Sequence, residues 1–168
     1  MKTFRDFIDD IQESSLSRIK SKSDKSGIAT MSASRSNLSK KENSKRAKQL
    51  DKDIRNKFGR GATKATGSYI EKDEKTGKET RVKERSHIID RGKMGKRKFR
   101  RTVKKLGKKY GQDSVLTQTK KTGRLDATRK GGLGNKKTKS VGRLKPQGTN
   151  PDGQTQIKGK TFTYEKGK

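Results

Sequence analysis

The chain has 168 residues and carries 48 Lys and Arg against 18 Asp and Glu, a net charge of +30. Leu, Ile, Val and Phe make up 26 residues, below the roughly 20% under which a highly charged chain is expected to be largely disordered. We therefore expect no single large core, and the absence of cysteine together with a single histidine excludes disulfides, thiolate chemistry and His or Cys metal clusters.

No segment approaches the roughly 18 consecutive apolar residues that a membrane-spanning helix needs. The N-terminus lacks the basic head, apolar centre and small-residue exit of a secretory signal peptide. We therefore expect a protein that has no membrane partner and is not exported by that route.

The first predicted element is a short amphipathic helix with an acidic surface. Residues 1–13 have a net charge of −2, so the remaining 155 residues carry +32. Thr3 suits the N-cap position. The large apolar residues recur at i, i+3, i+4 and i+7, the spacing of one helical face: Phe4, Phe7, Ile8 and Ile11. Periodicity alone allows this helix to pack on the protein's own core, but the sharp change in charge favours docking onto another protein.

The segment MKTFRDFIDDIQE resembles the capsid-targeting peptide of the internal head proteins of T-even-type tailed phages. Such peptides begin with Met-Lys-Thr and an aromatic, continue as an acidic amphipathic run, and end at a prohead protease site of the form Leu/Ile-x-Glu. Ile11 and Glu13 fit that site, so the resemblance implies cleavage between Glu13 and Ser14. It also implies that the scaffolding core of the prohead and the prohead protease are partners.

The next two predicted segments are a linker and a basic helix. Residues 14–35 are rich in Ser and Lys without a sustained period, which predicts a flexible linker. Residues 36–58 are predicted to be helical because apolar residues recur every four positions up to Phe58 and Gly59 supplies a stop. The cations of this helix suit a solvated face and a phosphate-binding face equally well.

The best candidate for a folded domain is residues 67–119. Strand-like runs at 68–71 and 81–89 are joined by a turn in which Gly77 suits a positive φ, which predicts a β-hairpin. A helix and a third strand at 113–118 follow. The predicted fold class is α+β: a small β-β-α-β core in this segment, the N-terminal helix, the second basic helix, and largely disordered basic linkers and arms.

The helix of this domain is the most basic segment of the chain. Its apolar residues follow a helical stripe from Phe99 to Tyr110. Eight of its cations are predicted to bind nucleic acid: Lys96, Arg97, Arg100, Arg101, Lys104, Lys105, Lys108 and Lys109. Because no base-reading motif is present, we expect phosphate contacts without sequence preference. DNA is the predicted partner and RNA the alternative.

The C-terminal third is predicted to contribute little to the core. Residues 120–159 are Gly-rich and basic, which predicts an arm. Strict alternation in residues 160–168 places Phe162 and Tyr164 on one face, which predicts a final strand and tail.

Glu84 and His87 are the candidates for a catalytic role, since a carboxylate and an imidazole can hold Mg²⁺ or act as a general base in a nuclease. The alternative interpretation is a partly exposed His on a strand and acids paired with nearby cations. No Gly-Lys segment has the Walker spacing, which excludes a P-loop. We therefore predict a protein that is not an enzyme and has no cofactor, no metal and no small-molecule substrate.

Together these features predict an internal head protein of a tailed phage that is packaged with the genome and binds DNA non-specifically. Its predicted location is the virion interior, and the host cytoplasm during assembly and after injection. One alternative is a ribosomal or other RNA-binding protein whose basic arms lie between phosphates. A second alternative is an effector or nuclease that is injected into the host.

Overall fold

The computed structural model describes residue 3 and residues 16–72, 76–146, 153–157 and 160–165. The helices in this part of the chain are α1 (16–25), α2 (Lys40–Phe58) and α3 (Lys96–Lys109). The strands are β1 (Ile28–Ser32), β2 (Thr63–Lys72), β3 (Glu79–Asp90), β4 (Ser114–Gln118), β5 (Gly123–Ala127), β6 (Gly132–Asn135), β7 (Thr138–Pro146), β8 (Gly153–Ile157) and β9 (Lys160–Glu165). The predicted targeting helix, apart from Thr3, and the predicted cleavage site lie outside the described residues.

Eight of these strands close into a barrel in which all neighbouring strands are antiparallel. Their order around the barrel is β1, β3, β2, β8, β9, β7, β5 and β4. The ring closes where β4 pairs with β1, with Leu116 opposite Thr30. Closure leaves no unpaired edge in the ring, so each short strand is held by two neighbours.

This barrel contradicts the predicted α+β fold with disordered basic arms. The β2–β3 hairpin, α3 and β4 lie within the segment predicted to fold, but they are only part of a larger sheet. Residues 14–35, expected to be a flexible linker, contain α1 and β1. Residues 120–159, expected to be an arm, contain four strands. Successive residues of a strand point to opposite faces of the sheet, so a short strand needs only a few apolar residues on its buried face.

One core lies between the outer wall of the barrel and the helices. The helices bury their apolar stripes there: Ala47, Leu50, Ile54 and Phe58 of α2 and Phe99, Val103 and Leu106 of α3. The strands contribute outward residues such as Met31, Ile89 and Val115. The α2 helix starts at a capping box in which Ser39 and Glu42 exchange hydrogen bonds, which satisfies two otherwise free backbone donors.

A second core fills one half of the barrel lumen. Its strand residues point inward from six strands: Ile28, Ala65, Ile88, Leu144, Ile157 and Phe162. Leu16 and Ile19 of α1 belong to the same cluster, so α1 closes this end of the barrel. We call this cluster the lumen core. The lumen core does not extend into the other half of the lumen.

Candidate functional site

The half of the lumen that the lumen core leaves open is a cavity of about 650 Å³, within the roughly 300–1,000 Å³ typical of small-molecule sites. Its wall includes Glu84 and Ser86 of β3, Leu116 of β4, Leu125 of β5 and Tyr164 of β9. The cavity therefore combines polar and apolar surface contributed by strands that are far apart in sequence.

The alternation of β3 explains why Glu84 faces the cavity. Ile88 belongs to the lumen core, and side chains two residues apart share a face of a strand. Ser86 and Glu84 therefore follow Ile88 along the inner wall, and both line the cavity. On the other side of β1 from this polar strip, Leu116 and Leu125 are directly paired neighbours on β4 and β5, and they form an apolar strip.

Two loops, which we call the mouth loops, border the open end of the cavity: residues 33–36 after β1 and residues 110–114 after α3. The Arg35 guanidinium donates a hydrogen bond to the carbonyl oxygen of Gly111. The Asn43 side chain of α2 accepts from the Arg35 N–H at 2.8 Å and donates to its carbonyl oxygen at 2.9 Å. Arg35 is thereby fixed at the mouth by both its backbone and its side chain.

Arg46 of α2 joins the two mouth loops. Its Nε donates to the carbonyl oxygen of Ala33 at 2.7 Å, and its Nη2 donates to the carbonyl oxygen of Tyr110 at 2.6 Å. A direct bond between the loops runs from Gln112 Nε2 to the carbonyl oxygen of Ser34 at 3.2 Å. The shape of the mouth therefore depends on where α2 lies.

The acids of the described cavity lining are Glu84 and Asp113. Asp113 lies in a mouth loop, where its Oδ1 is 2.7 Å from Nε of Arg129. Both side chains of this pair are more than half exposed, so the ion pair contributes little stability. Glu84 is the carboxylate on the inner wall.

Tyr164 lies at the boundary between the cavity and the lumen core. Its hydroxyl oxygen is shielded from solvent and lies near the Thr30 side chain, but it makes no hydrogen bond of ordinary geometry. Burial raises the pKa of the Tyr164 hydroxyl well above its usual value, so the group stays neutral and keeps its proton to donate. A buried polar atom without a partner suits a place where a ligand supplies one.

The structure does not bring the two predicted catalytic candidates together. Glu84 faces the lumen, whereas His87 lies on the opposite face of β3 and is buried to 2% exposure. Its Nε2 is 3.2 Å from Oδ1 of Asp51 on α2, and its Nδ1 has no partner among the described residues. The other carboxylate oxygen of Asp51 is 3.0 Å from Nζ of Lys64. His87 therefore has a structural position between the barrel and α2.

The buried position of His87 predicts a stability that falls with acidification. Burial lowers the pKa of the imidazole below its ordinary value of 6.5, and the attraction of Asp51 offsets only part of this effect. Near pH 6 the unfolded chain therefore binds a proton at His87 that the folded protein does not, so stability rises with pH in this window and is lost as the pH falls.

We expect the urea midpoint of the wild-type protein to decrease between about pH 7 and pH 5, and to decrease less in the His87→Gln variant. Gln has no titration in this range and can still donate to Asp51. An equal decrease in both proteins would assign the acid sensitivity to other groups.

The eight cations predicted to bind nucleic acid all lie on α3 and are all exposed: Lys96, Arg97, Arg100, Arg101, Lys104, Lys105, Lys108 and Lys109. They are not part of the cavity lining. In the part of the chain that the structure describes, no three His, Asp or Glu side chains are grouped so that they could hold a metal ion. No helix there is long and apolar enough to cross a membrane.

A comparison with protein-family models matches residues 29–168 to the S-adenosylmethionine lyase family. The match covers 140 of the 168 residues and nearly all of the barrel. No curated protein matches the chain.

This match overturns several expectations. The resemblance to phage internal head proteins is wrong, because it rested on residues 1–13, whereas a different family matches almost all of the rest. The expected DNA-binding head function is contradicted, and neither the RNA-binding nor the effector alternative is supported. A lyase is an enzyme, so the expectation of a non-enzyme is also contradicted. The predicted partners and the predicted location in the virion interior stay predictions.

Proposed function

Because the chain belongs to the S-adenosylmethionine lyase family, we propose that it cleaves S-adenosylmethionine without consuming water and that the barrel cavity binds this substrate. The observation that carries the assignment of the site is the half-filled lumen, a cavity of about 650 Å³ with a carboxylate on its inner wall. Its combination of one apolar strip and several hydroxyl groups suits a ligand that has an aromatic base, a sugar and a charged amino-acid end.

The chemistry of the substrate sets what the cavity has to provide. When a carbon–sulfur bond of a sulfonium breaks, its electron pair goes to sulfur, which becomes a neutral thioether. The carbon fragment is completed either by loss of a neighbouring proton, which gives an alkene, or by attack of its own carboxylate, which gives a lactone. The thioether leaves without needing a proton in either route, so the enzyme has to orient the substrate and handle charge on the carbon fragment.

Glu84 is placed to act on the cationic end of the substrate. A carboxylate on the inner wall can hold the ammonium group or accept the proton that an elimination releases. The Leu116–Leu125 strip supplies an apolar wall, and a reaction in which the sulfonium loses its charge is favoured where the surroundings are poorly polar. We therefore assign the sulfonium to the apolar strip and the ammonium to Glu84.

The mouth supplies groups of the opposite charge. Arg35 and Arg129 both line the open end of the cavity, and guanidinium groups bind carboxylates through paired hydrogen bonds. We assign the substrate carboxylate to this end. The hydroxyl groups of Ser86 and Thr155, which also line the cavity, are suited to the sugar hydroxyls.

The proposal is tested by incubating the purified full chain with S-adenosylmethionine in water enriched in oxygen-18. We expect the substrate to disappear and a neutral thioether nucleoside to form, with no label in the carbon fragment at early times. Label in the freshly formed fragment would identify a hydrolase. Methionine, which has no sulfonium, serves as a control that should stay unchanged. S-adenosylmethionine that remains as intact as this control would contradict the proposed activity.

A further inference from the structure

We propose that α2 and α3 form a second functional surface that binds the phosphate backbone of nucleic acid, separate from the cavity. The inference does not depend on the proposed lyase activity. It starts from a charge that the reaction does not explain. S-adenosylmethionine carries a sulfonium, an ammonium and one carboxylate, so it is itself a cation. A net charge of +30 repels such a substrate at long range and far exceeds the roughly 2–8 charges that keep a small domain soluble.

The cations of α3 form an outward row that acids do not neutralise. The helix has nine Lys and Arg and no acidic residue. Four of its cations recur at i, i+4, i+7 and i+11 and are all exposed: Arg97, Arg101, Lys104 and Lys108. Among the described residues, ion pairs of α3 involve only Arg100, at 2.8 Å from Asp126, and Lys109, at 2.6 Å from Asp53. The outward row itself has no ion pair in the described part of the chain.

The α2 helix places a second row beside the first. The two helices run antiparallel, because Phe58 at the end of α2 contacts Phe99 near the start of α3 while Arg46 bonds to Tyr110 just after its end. Exposed lysines recur on the outward face of α2 with the same spacing: Lys41, Lys45, Lys48 and Lys52. These lysines also lack ion pairs with the described acids. We call the two outward rows together the basic helix layer.

The dimensions and composition of the basic helix layer favour nucleic acid over an anionic lipid surface. A helix of 14 residues is about 21 Å long, and a DNA duplex presents one phosphate per roughly 1.7 Å of its axis, so a row of this length meets several phosphates at once. The apolar residues of α3, such as Phe99 and Leu106, are buried against the barrel. The layer therefore exposes no apolar side chain for insertion into a lipid surface.

The test compares two triple variants that remove the same number of charges. Arg101→Gln, Lys104→Gln and Lys108→Gln together remove cations from the outward row of α3, where Gln preserves helix propensity. The matched control is Lys136→Gln, Lys137→Gln and Lys139→Gln, at exposed positions on and beside β6 and β7. Binding of a short fluorescent DNA duplex is followed by anisotropy over a series of salt concentrations, with an RNA duplex and anionic vesicles as parallel probes. Cleavage of S-adenosylmethionine is assayed in all three proteins.

We expect the α3 variant to bind the DNA duplex roughly 10- to 100-fold more weakly, with a salt dependence shallower by up to about 2.7 logarithmic units per decade. The control variant should bind within a few-fold of the wild type, and cleavage of S-adenosylmethionine should be equal in all three. A similar loss in both triple variants would assign binding to the overall charge and overturn the proposal. An affinity for anionic vesicles equal to the affinity for the DNA duplex would overturn the proposal as well. Undiminished binding of the duplex by the α3 variant would also overturn it. If the α3 variant loses more affinity for the RNA duplex than for the DNA duplex, the basic helix layer is supported and RNA is identified as its ligand.

Discussion

The Glu84→Gln variant should cleave S-adenosylmethionine roughly 10²- to 10⁴-fold more slowly than the wild-type protein. Glu84 is the carboxylate on the inner wall of the cavity, and Gln keeps its size while removing its charge and its basicity. Glu79→Gln is the matched control, because Glu79 lies on the same strand but is exposed and points to the opposite face of that strand from Glu84. Initial rates are measured chromatographically, and thermal unfolding verifies that both variants are folded.

The division of the effect between kcat and KM identifies what Glu84 does. If Glu84 accepts a proton in the slow step, kcat falls while KM changes little. If it only holds the ammonium group, KM rises and kcat is preserved at saturating substrate. A variant with wild-type kcat and KM would remove Glu84 from the site and leave the apolar strip and the mouth arginines as its determinants.

The Ile19→Ala variant should lower the free energy of unfolding by about 2–5 kcal/mol. Ile19 lies in the lumen core at 2% exposure, so its truncation removes buried apolar contacts and leaves a cavity at the closed end of the barrel. Arg18→Ala is the control one residue earlier; Arg18 is exposed, and its loss should cost less than about 0.5 kcal/mol. Urea unfolding at neutral pH measures both values.

Equal stabilities of these two variants would show that α1 is not part of the core. The comparison is informative because α1 precedes the segment that matches the family. A cost at Ile19 would mean that the matched residues alone do not complete the barrel.

The helices α2 and α3 and the strands β2, β3, β4 and β9 could be predicted from the sequence, whereas β1 and the strands β5 to β8 could not. The stripes of α2 and α3 are regular because one face of each helix packs on the barrel while the other stays in water. By contrast, β1 is buried on both faces, toward the lumen core and toward the helices. A five-residue strand buried on both sides shows no alternation, and the sequence around Ile28 therefore suggests a linker.

The amino-acid composition led to the wrong predicted fold class for a related reason. Half of the lumen is a cavity instead of a packed core, so the barrel needs fewer large apolar residues than a filled domain of the same length. Strands such as β7 bury Leu144 and leave their lysines in solvent. A Lys-rich and Gly-rich segment of this kind has the composition of a disordered arm, yet barrel closure supplies its hydrogen bonds.

The candidate site could be predicted only in fragments. Alternation separates Glu84 from His87, but which face of β3 borders a cavity depends on the strands that complete the ring. Alternation also predicts a strand through Tyr164, while its proximity to Thr30 depends on pairings between distant segments. No local pattern indicates that Arg35 borders a cavity, because its neighbours at the mouth are more than seventy residues away, as the bond to Gly111 shows.

Arg46 makes the opening of the barrel a cooperative event. Since one guanidinium on α2 bonds to both mouth loops, neither loop can move far without breaking a bond that also restrains the other. A joint movement of both loops that keeps these bonds requires displacement of α2, whose Leu50 and Ile54 are fully buried, and therefore costs more free energy than the fraying of a free loop. We therefore expect the backbone amides of the two loops to exchange with solvent through one shared opening.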